Sequence, residues 1–260
     1  MRIFDTHLHL ASEQFEQDLD SLLMQARACH VEGCLIACDP GDLEPDHARA
    51  LSIAGKYDNF YIGVACHPQN ALNFSPERAA TICRIAEMPI CRCIGETGLD
   101  YYDNQSSRAQ QLEVLNWHFD LAMELNKPVQ LHIRNAHGDM IDLMRTRKKK
   151  GSLPRAFLHC FTRSYELAKV YLSMGCYISI GGAVTYANAN RLLETVQRIP
   201  INRLLIETDA PWVAPEPHRG GRCEPAYILH TFEKIAALRN MEPEELSRQL
   251  WENTAEILGI

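Results

Sequence analysis

The sequence predicts an α/β protein, a (β/α)8 TIM barrel formed by a single domain spanning residues 1–260. Three observations predict it. Eight short apolar, β-branched runs recur along the chain. Stretches with helical spacing separate them, which implies parallel strands joined by helical crossovers. Histidines and carboxylates fall at the C-terminal ends of the runs, where such barrels carry their active sites.

The runs are RIFDTHLH (2–9), GCLIACD (33–39), FYIGVACH (60–67), PICRCIGETG (89–98), PVQLHIR (128–134), RAFLHCF (155–161), CYISIGG (176–182) and RLLIETDA (203–210). Between the first two, FEQDLDSLLMQARACHVEG puts Leu19, Leu22, Leu23 and Ala26 on one side, with Gly33 expected to stop the helix. The stretch AQQLEVLNWHFDLAMELNKP aligns Leu112, Leu115, Phe119, Ala122 and Leu125 with Trp117 or His118, and ends before Pro128. YELAKVYLSMG repeats the device with Gly175. An open doubly wound sheet is the competing fold, but neither GxGxxG nor GxxxxGK[ST] occurs.

Composition narrows the function. The formal net charge of −7 argues against a protein that coats nucleic acid non-specifically, yet permits one local positive site. The basic residues Arg145, Arg147, Lys148, Lys149 and Lys150 read first as a solvated helix end favoured by the helix dipole. Ten cysteines are scattered through apolar runs, so they read as reduced core thiols; Cys91 and Cys93 lack the second pair a zinc site needs. Met1 leads directly into the first strand with no signal-peptide pattern, and no run of about 18 apolar residues exists. A soluble cytoplasmic monomer is expected, with no membrane and no protein partner implied.

In RIFDTHLHL, Asp5, His7 and His9 occupy alternate positions, which in a strand share one face. The third strand ends in His67, the fourth in Glu96, the fifth in His132 and Arg134, the sixth in His159 and the eighth in Glu207 and Asp209. Apolar strands do not carry such groups without partners. Divalent metal satisfies them together. His7, His9, Glu96, His132, His159 and Asp209 supply four imidazoles and two carboxylates. That is too many for one tetrahedral zinc with an open position, and suits two ions about 3.5–4 Å apart. Two dications against two carboxylates leave the site near +2, which attracts an anion. Imidazole favours zinc or manganese and carboxylate also tolerates magnesium, so the metal is left open.

FDTHLHL, CHPQ, GETGLDYY, PVQLHIR, LHCF and LLIETDAPW, in order and followed by the final ENTAEILG, resemble the TatD-type metal-dependent deoxyribonucleases, a branch of the amidohydrolase-like barrels. The resemblance implies that His7, His9, Glu96 and Asp209 hold one ion, and that Glu96 bridges to a second held by His132 and His159. It places His67 near the scissile phosphate or the nucleophilic water. It also implies DNA as substrate and exonuclease action from a 3′ end. Two positions depart from the family pattern: Gln69 stands where a second histidine is usual, and Cys223 stands where RNEP has asparagine.

On this reading two metals activate water, Asp209 accepts its proton, and His67 with Arg134 stabilises charge on the phosphoryl group. Glu96, Asp209 and His67 are the candidate catalytic residues, His67 and Arg134 the candidate substrate contacts. Asp5 and Glu207 are expected to orient the ligands. Tyr101, Tyr102, Tyr186 and Trp212 follow the active strands and are candidates for base stacking. An amide or aminoacyl-ester hydrolase on the same metals is the first alternative; a non-catalytic metal-bearing scaffold is the second.

Overall fold

The computed structural model describes residues 1–41, 46–102 and 106–260. Eight strands form one parallel sheet in chain order: β1 (Ile3–Leu8), β2 (Val31–Cys38), β3 (Phe60–Val64), β4 (Cys91–Asp100), β5 (Val129–Arg134), β6 (Ala156–Leu158), β7 (Tyr177–Ile180) and β8 (Leu204–Ile206). The last strand returns to the first. Asp209 N donates to the His7 carbonyl at 2.9 Å and His9 N to the Ala210 carbonyl at 2.7 Å, so the sheet curls into a nearly closed barrel.

The helices are α1 (Leu19–Ala28), α2 (Asp46–Ala54), α3 (Pro76–Glu87), α4 (Arg108–Glu124), α5 (His137–Lys149), α6 (Tyr165–Ser173), α7 (Asn190–Arg198), α8 (Ile228–Arg239) and α9 (Pro243–Leu258). Local chemistry sets their ends. Ser107 and Gln110 form a reciprocal capping box on α4, and Ser75 accepts from Arg78 N at the start of α3 with Pro76 following it. Lys148 Nζ donates to the Ser173 carbonyl and Arg147 pairs with Asp120, so two members of the basic run are tied into the fold. None of the described helices is long and apolar enough to cross a membrane.

Two cores result. The large one lies between the sheet and the helices. The smaller one groups Phe4, Leu35, Cys93, Phe157, Tyr177 and Leu205 from six strands with Ile257 and Leu258 of α9. The end of α9 thus plugs the lower end of the barrel, leaving the C-terminal mouth for chemistry.

Three expectations need correction. Gly33 does not stop a helix: α1 ends at Ala28, and Gly33 lies in β2 against the Phe4 ring, where a side chain would collide. The sixth and eighth strands are shorter than the apolar runs, so His159, Glu207 and Asp209 follow the regular strands, as do His9 and His67, although the backbones of His9, His159, Glu207 and Asp209 still bond to neighbouring strands. The chain leaves regular geometry there, with Cys160 at φ +47° and Asp209 at φ +61°. Strict alternation also fails in β1. Asp5 pairs with Cys34 but Leu8 pairs with Ile36, a bulge that puts three steps against two. Asp5 therefore shares the face of Cys34, which belongs to the outer core, rather than that of His7.

Candidate metal centre

Glu96 lies buried in the middle of β4, which runs on to Asp100 rather than ending at Glu96 as the sequence suggested, and it is the hub of the barrel mouth. Its Oε1 lies 2.6 Å from His132 Nδ1, 2.8 Å from His159 Nε2 and 3.5 Å from His67 Nε2. Its Oε2 lies 3.5 Å from His7 Nε2 and 3.9 Å from His9 Nε2. Asp209 Oδ1 faces the same two rings at 3.4 and 3.7 Å. All six predicted ligands are thus brought together, with ring nitrogens as close as 3.0 Å (His7 to His9) and 3.2 Å (His132 to His159).

Backbone geometry makes the convergence possible. Gly98 packs so tightly on the His132 carbonyl that any side chain there would overlap it. That close approach of β4 to β5 brings Glu96 beside His132.

The charges favour a cation. Burial raises the Glu96 carboxyl, but the imidazoles of His159, His67 and His7 outweigh it and hold the group well below the usual carboxylate range. Burial likewise raises Asp209, and hydrogen bonds to His7 and His9 more than offset it. Burial lowers His159, yet Glu96 and Glu207 raise it well above an ordinary imidazole. Two buried carboxylates therefore stay ionised, and positive charge of some kind must balance them. The donor set fits divalent metal, since imidazole nitrogen and carboxylate oxygen are the common ligands of zinc and manganese. Among the described residues three groups have ligand atoms within 4.8 Å of one another: His7, His159 and Asp209; His7, His9 and Glu96; and His67, Glu96 and His132. His67 is thus as well placed to touch a metal as to touch substrate.

A second layer fixes the rings. Gln130 Oε1 lies 2.9 Å from His7 Nδ1, and Gln130 Nε2 donates to the Thr6 carbonyl at 2.9 Å. Asp100 Oδ2 lies 3.2 Å from His132 Nε2 and accepts from Gln69 Nε2 at 3.2 Å. Glu207 Oε1 stands 3.5 Å from His159 Nδ1 and accepts from Cys160 N at 2.5 Å. Asp5 accepts from Thr208 N at 3.0 Å and Thr208 Oγ1 at 2.6 Å, so it anchors the turn that presents Asp209. Burial pushes the Asp5 carboxyl up to about 7 against those hydrogen bonds. Asp39, at the end of β2, accepts from His67 N at 3.1 Å and pairs with buried Arg78.

Asp39, Asp100 and Gln130 were not singled out by sequence. Gln130 had a signal: it precedes His132 by two in PVQLHIR. Asp39 ends a strand as His67 does, and Asp100 closes GETGLD.

Arg134 is exposed at the cleft and lies over the Tyr102 ring at 3.8 Å. Trp212 is 49% exposed and stands edge-on to His9 at 4.6 Å. Tyr102 is exposed as well. Tyr101 and Tyr186 are committed to packing, through Asp139 at 2.6 Å and the Ala214 carbonyl at 2.9 Å. Gln69 meets the buried Asp100 carboxylate, and Cys223 is fully buried beside the Thr208 carbonyl.

The chain is similar to known proteins along nearly its whole length. The TatD related DNase family model matches residues 4–259. The metal-dependent hydrolase YabD of Bacillus subtilis is 37% identical over 99% of both chains. The 3′-5′ ssDNA/RNA exonuclease TatD of Erwinia amylovora is 36% identical over 99% of this chain and 100% of its own length. The crystal structure of YJJV, a TatD homologue from Escherichia coli, superposes with a TM-score of 0.90 at 25% identity, covering 100% of this chain and 98% of its own.

Proposed function

The chain belongs to the TatD related DNase family of metal-dependent hydrolases, and from that premise we propose that it hydrolyses phosphodiester bonds of DNA, releasing nucleotides from a 3′ end. The observation that carries this reading is the convergence of four imidazoles and Asp209 around Glu96 in an open cleft.

We assign His7, His9, Glu96 and Asp209 to one divalent ion and Glu96, His132 and His159 to a second, with magnesium, manganese and zinc all compatible. Such ions, when bound, acidify water and polarise a phosphoryl oxygen. The chain supplies the remaining work. Asp209 keeps its carboxylate ionised and takes the proton of the attacking water. His67, 20% exposed beside Glu96, faces the scissile phosphate. Arg134 offers a guanidinium to phosphoryl oxygens from the cleft wall. Gln130 and Asp100 hold the rings of His7 and His132 so that their other nitrogens face the centre, and the Glu207 carboxylate stands beside the ring of His159. Thiols buried in the fold at Cys34, Cys66, Cys91, Cys93, Cys176 and Cys223 suit the cytoplasm, where we place the protein as a monomer.

The test is release of label from a 3′-end-labelled oligonucleotide in magnesium, manganese and zinc, beside a panel of N-acyl amino acids and D-aminoacyl-tRNA. Nucleotide release abolished by EDTA is expected. Intact DNA beside rapid deacylation overturns the assignment. Elemental analysis of gently purified protein is expected to approach two ions per chain.

A further inference from the structure

The cleft at the barrel mouth has two lobes, of about 420 and 480 Å³. His132, His159 and Asp209 lie in both, and Arg134 and Trp212 form the wall between them. Each lobe is of a size that takes one small-molecule unit. Chemically they differ. Both lobes touch Arg134, but the lobe toward β5 and β6 adds Arg163 and, among the described residues, has no carboxylate besides Asp209. The lobe toward β2 and β3 carries Asp39, Gln69 and Asn70.

The difference continues outward. Past Thr162, which both spaces share, a cavity of about 550 Å³ is lined by Tyr186, Asn188, Asn190 and Arg191. On the opposite flank, a cavity of about 360 Å³ shares His9, Asp39 and Trp212 with the second lobe and adds Glu13. One side of the mouth carries arginines; on the other, Asp39 is already paired with Arg78 and Glu13 supplies the uncompensated carboxylate among the described residues.

The cations are available. Arg134, Arg163 and Arg191 are exposed and form no ion pair with any described residue. Arg49, Arg78, Arg108, Arg147, Arg198 and Arg222 each hold a carboxylate instead. Arg163 is 3.5 Å from the Asn135 amide oxygen, a neutral partner that leaves its charge uncompensated. Other arginines are also without an ion pair among the described residues; Arg134, Arg163 and Arg191 differ in lining adjoining cavities that lead out from the mouth.

We propose that Arg163 and Arg191 form a phosphate track for a single-stranded nucleic acid, which reaches the centre across the β6–β7 side. The terminal nucleotide then occupies the lobe of Gln69 and Asn70, and Trp212 stands between it and the rest of the strand. The unpaired Glu13 carboxylate on the opposite flank repels further phosphates, so the geometry accepts a strand end rather than a strand passing through. This inference rests on the nuclease reading above and adds to it the path and direction of the strand.

The test uses metal-loaded enzyme and 5′-fluorescein oligothymidylates of two, four and twelve nucleotides with phosphorothioate linkages at the 3′ end. Anisotropy gives Kd over a range of salt, and unmodified strands give kcat/KM. Affinity is expected to rise from two to twelve nucleotides. R163Q and R191Q should each weaken twelve-mer binding severalfold and remove about 0.7 from the slope of log Kd against log salt, the value of one single-strand phosphate contact. The ratio of kcat/KM for twelve-mer over dinucleotide should fall in R191Q. E13Q on the other flank should keep the wild-type slope. Equal affinity for two and twelve nucleotides, or a wild-type slope in the R163Q/R191Q double variant, overturns the track. If no oligonucleotide is hydrolysed while the salt slope responds as described, the track stands and the nuclease assignment fails.

Discussion

Gln130 Oε1 lies 2.9 Å from His7 Nδ1, and both side chains are fully buried. The amide oxygen can only accept, so His7 carries its proton on Nδ1 and turns the lone pair of Nε2 to Glu96 and Asp209. Gln130→Leu removes that constraint and leaves the Thr6 carbonyl without its Gln130 donor. Metal affinity is expected to fall about 10–100-fold, the usual cost of losing a ligand-orienting partner. Competition with a chromophoric chelator measures it, and wild-type affinity in the variant would remove Gln130 from the site.

Asp39 holds the turn that carries His67. Its Oδ2 accepts from His67 N at 3.1 Å and Asn70 Nδ2 at 2.8 Å, while Oδ1 pairs with Arg78. Asp39→Ala takes the carboxylate from a guanidinium that is only 3% exposed. A fully buried pair broken this way costs 3–5 kcal/mol; with Asp39 at 27% exposure about 2 kcal/mol is expected. For a chain of this length that is a Tm drop of about 4–8 °C. KM for the oligonucleotide should rise as His67 loses its anchor, and Asp39→Asn, which keeps an acceptor, should recover part of both effects.

The barrel and the six convergent residues were legible because each strand needs its own apolar run and each buried imidazole or carboxylate violates it. The second layer was less so. Gln130 and Asp100 are polar residues in strands like many others, and their worth depends on which nitrogen of which ring they meet. The bulge in β1 was invisible for a different reason: register belongs to the pairing of β1 with β2, and no spacing within RIFDTHLHL encodes it. Hence Asp5 was placed beside His7 by alternation, although it works from the outer face through Thr208. Gly33 was misread because a glycine after a helical pattern is a common stop signal, while here it makes room for Phe4.

Glu96 serves both proposed ion positions, so its removal should empty more than one. Glu96→Gln keeps size but gives up the charge that His7, His67, His132 and His159 surround. Bound metal is expected to fall below one ion per chain by elemental analysis, and hydrolysis to fall by at least about 10³-fold. Adding EDTA to the wild type should lower its Tm by mass action, and the same addition should shift Glu96→Gln far less. An equal shift in both would place the stabilising metal elsewhere.

His118 gives the fold a pH dependence separate from the metal ligands. It is buried on α4, where Nε2 accepts from Cys66 N at 3.1 Å and Nδ1 lies 2.8 Å from the Val114 carbonyl. Burial pushes its imidazole down to about 4, against an ordinary value of 6.5. The unfolded chain therefore binds this proton more readily than the folded one. The stability contributed by neutral His118 is complete above about pH 6.5 and is lost as pH falls toward 4. The difference of about 2.5 pH units is worth about 3 kcal/mol. Urea denaturation between pH 7 and 4 measures it against His118→Gln, which keeps an amide acceptor near Cys66 but does not titrate. The variant is expected to be less stable at pH 7 and to lose about 3 kcal/mol less on acidification. Parallel pH profiles would show that the imidazole titrates alike in both states.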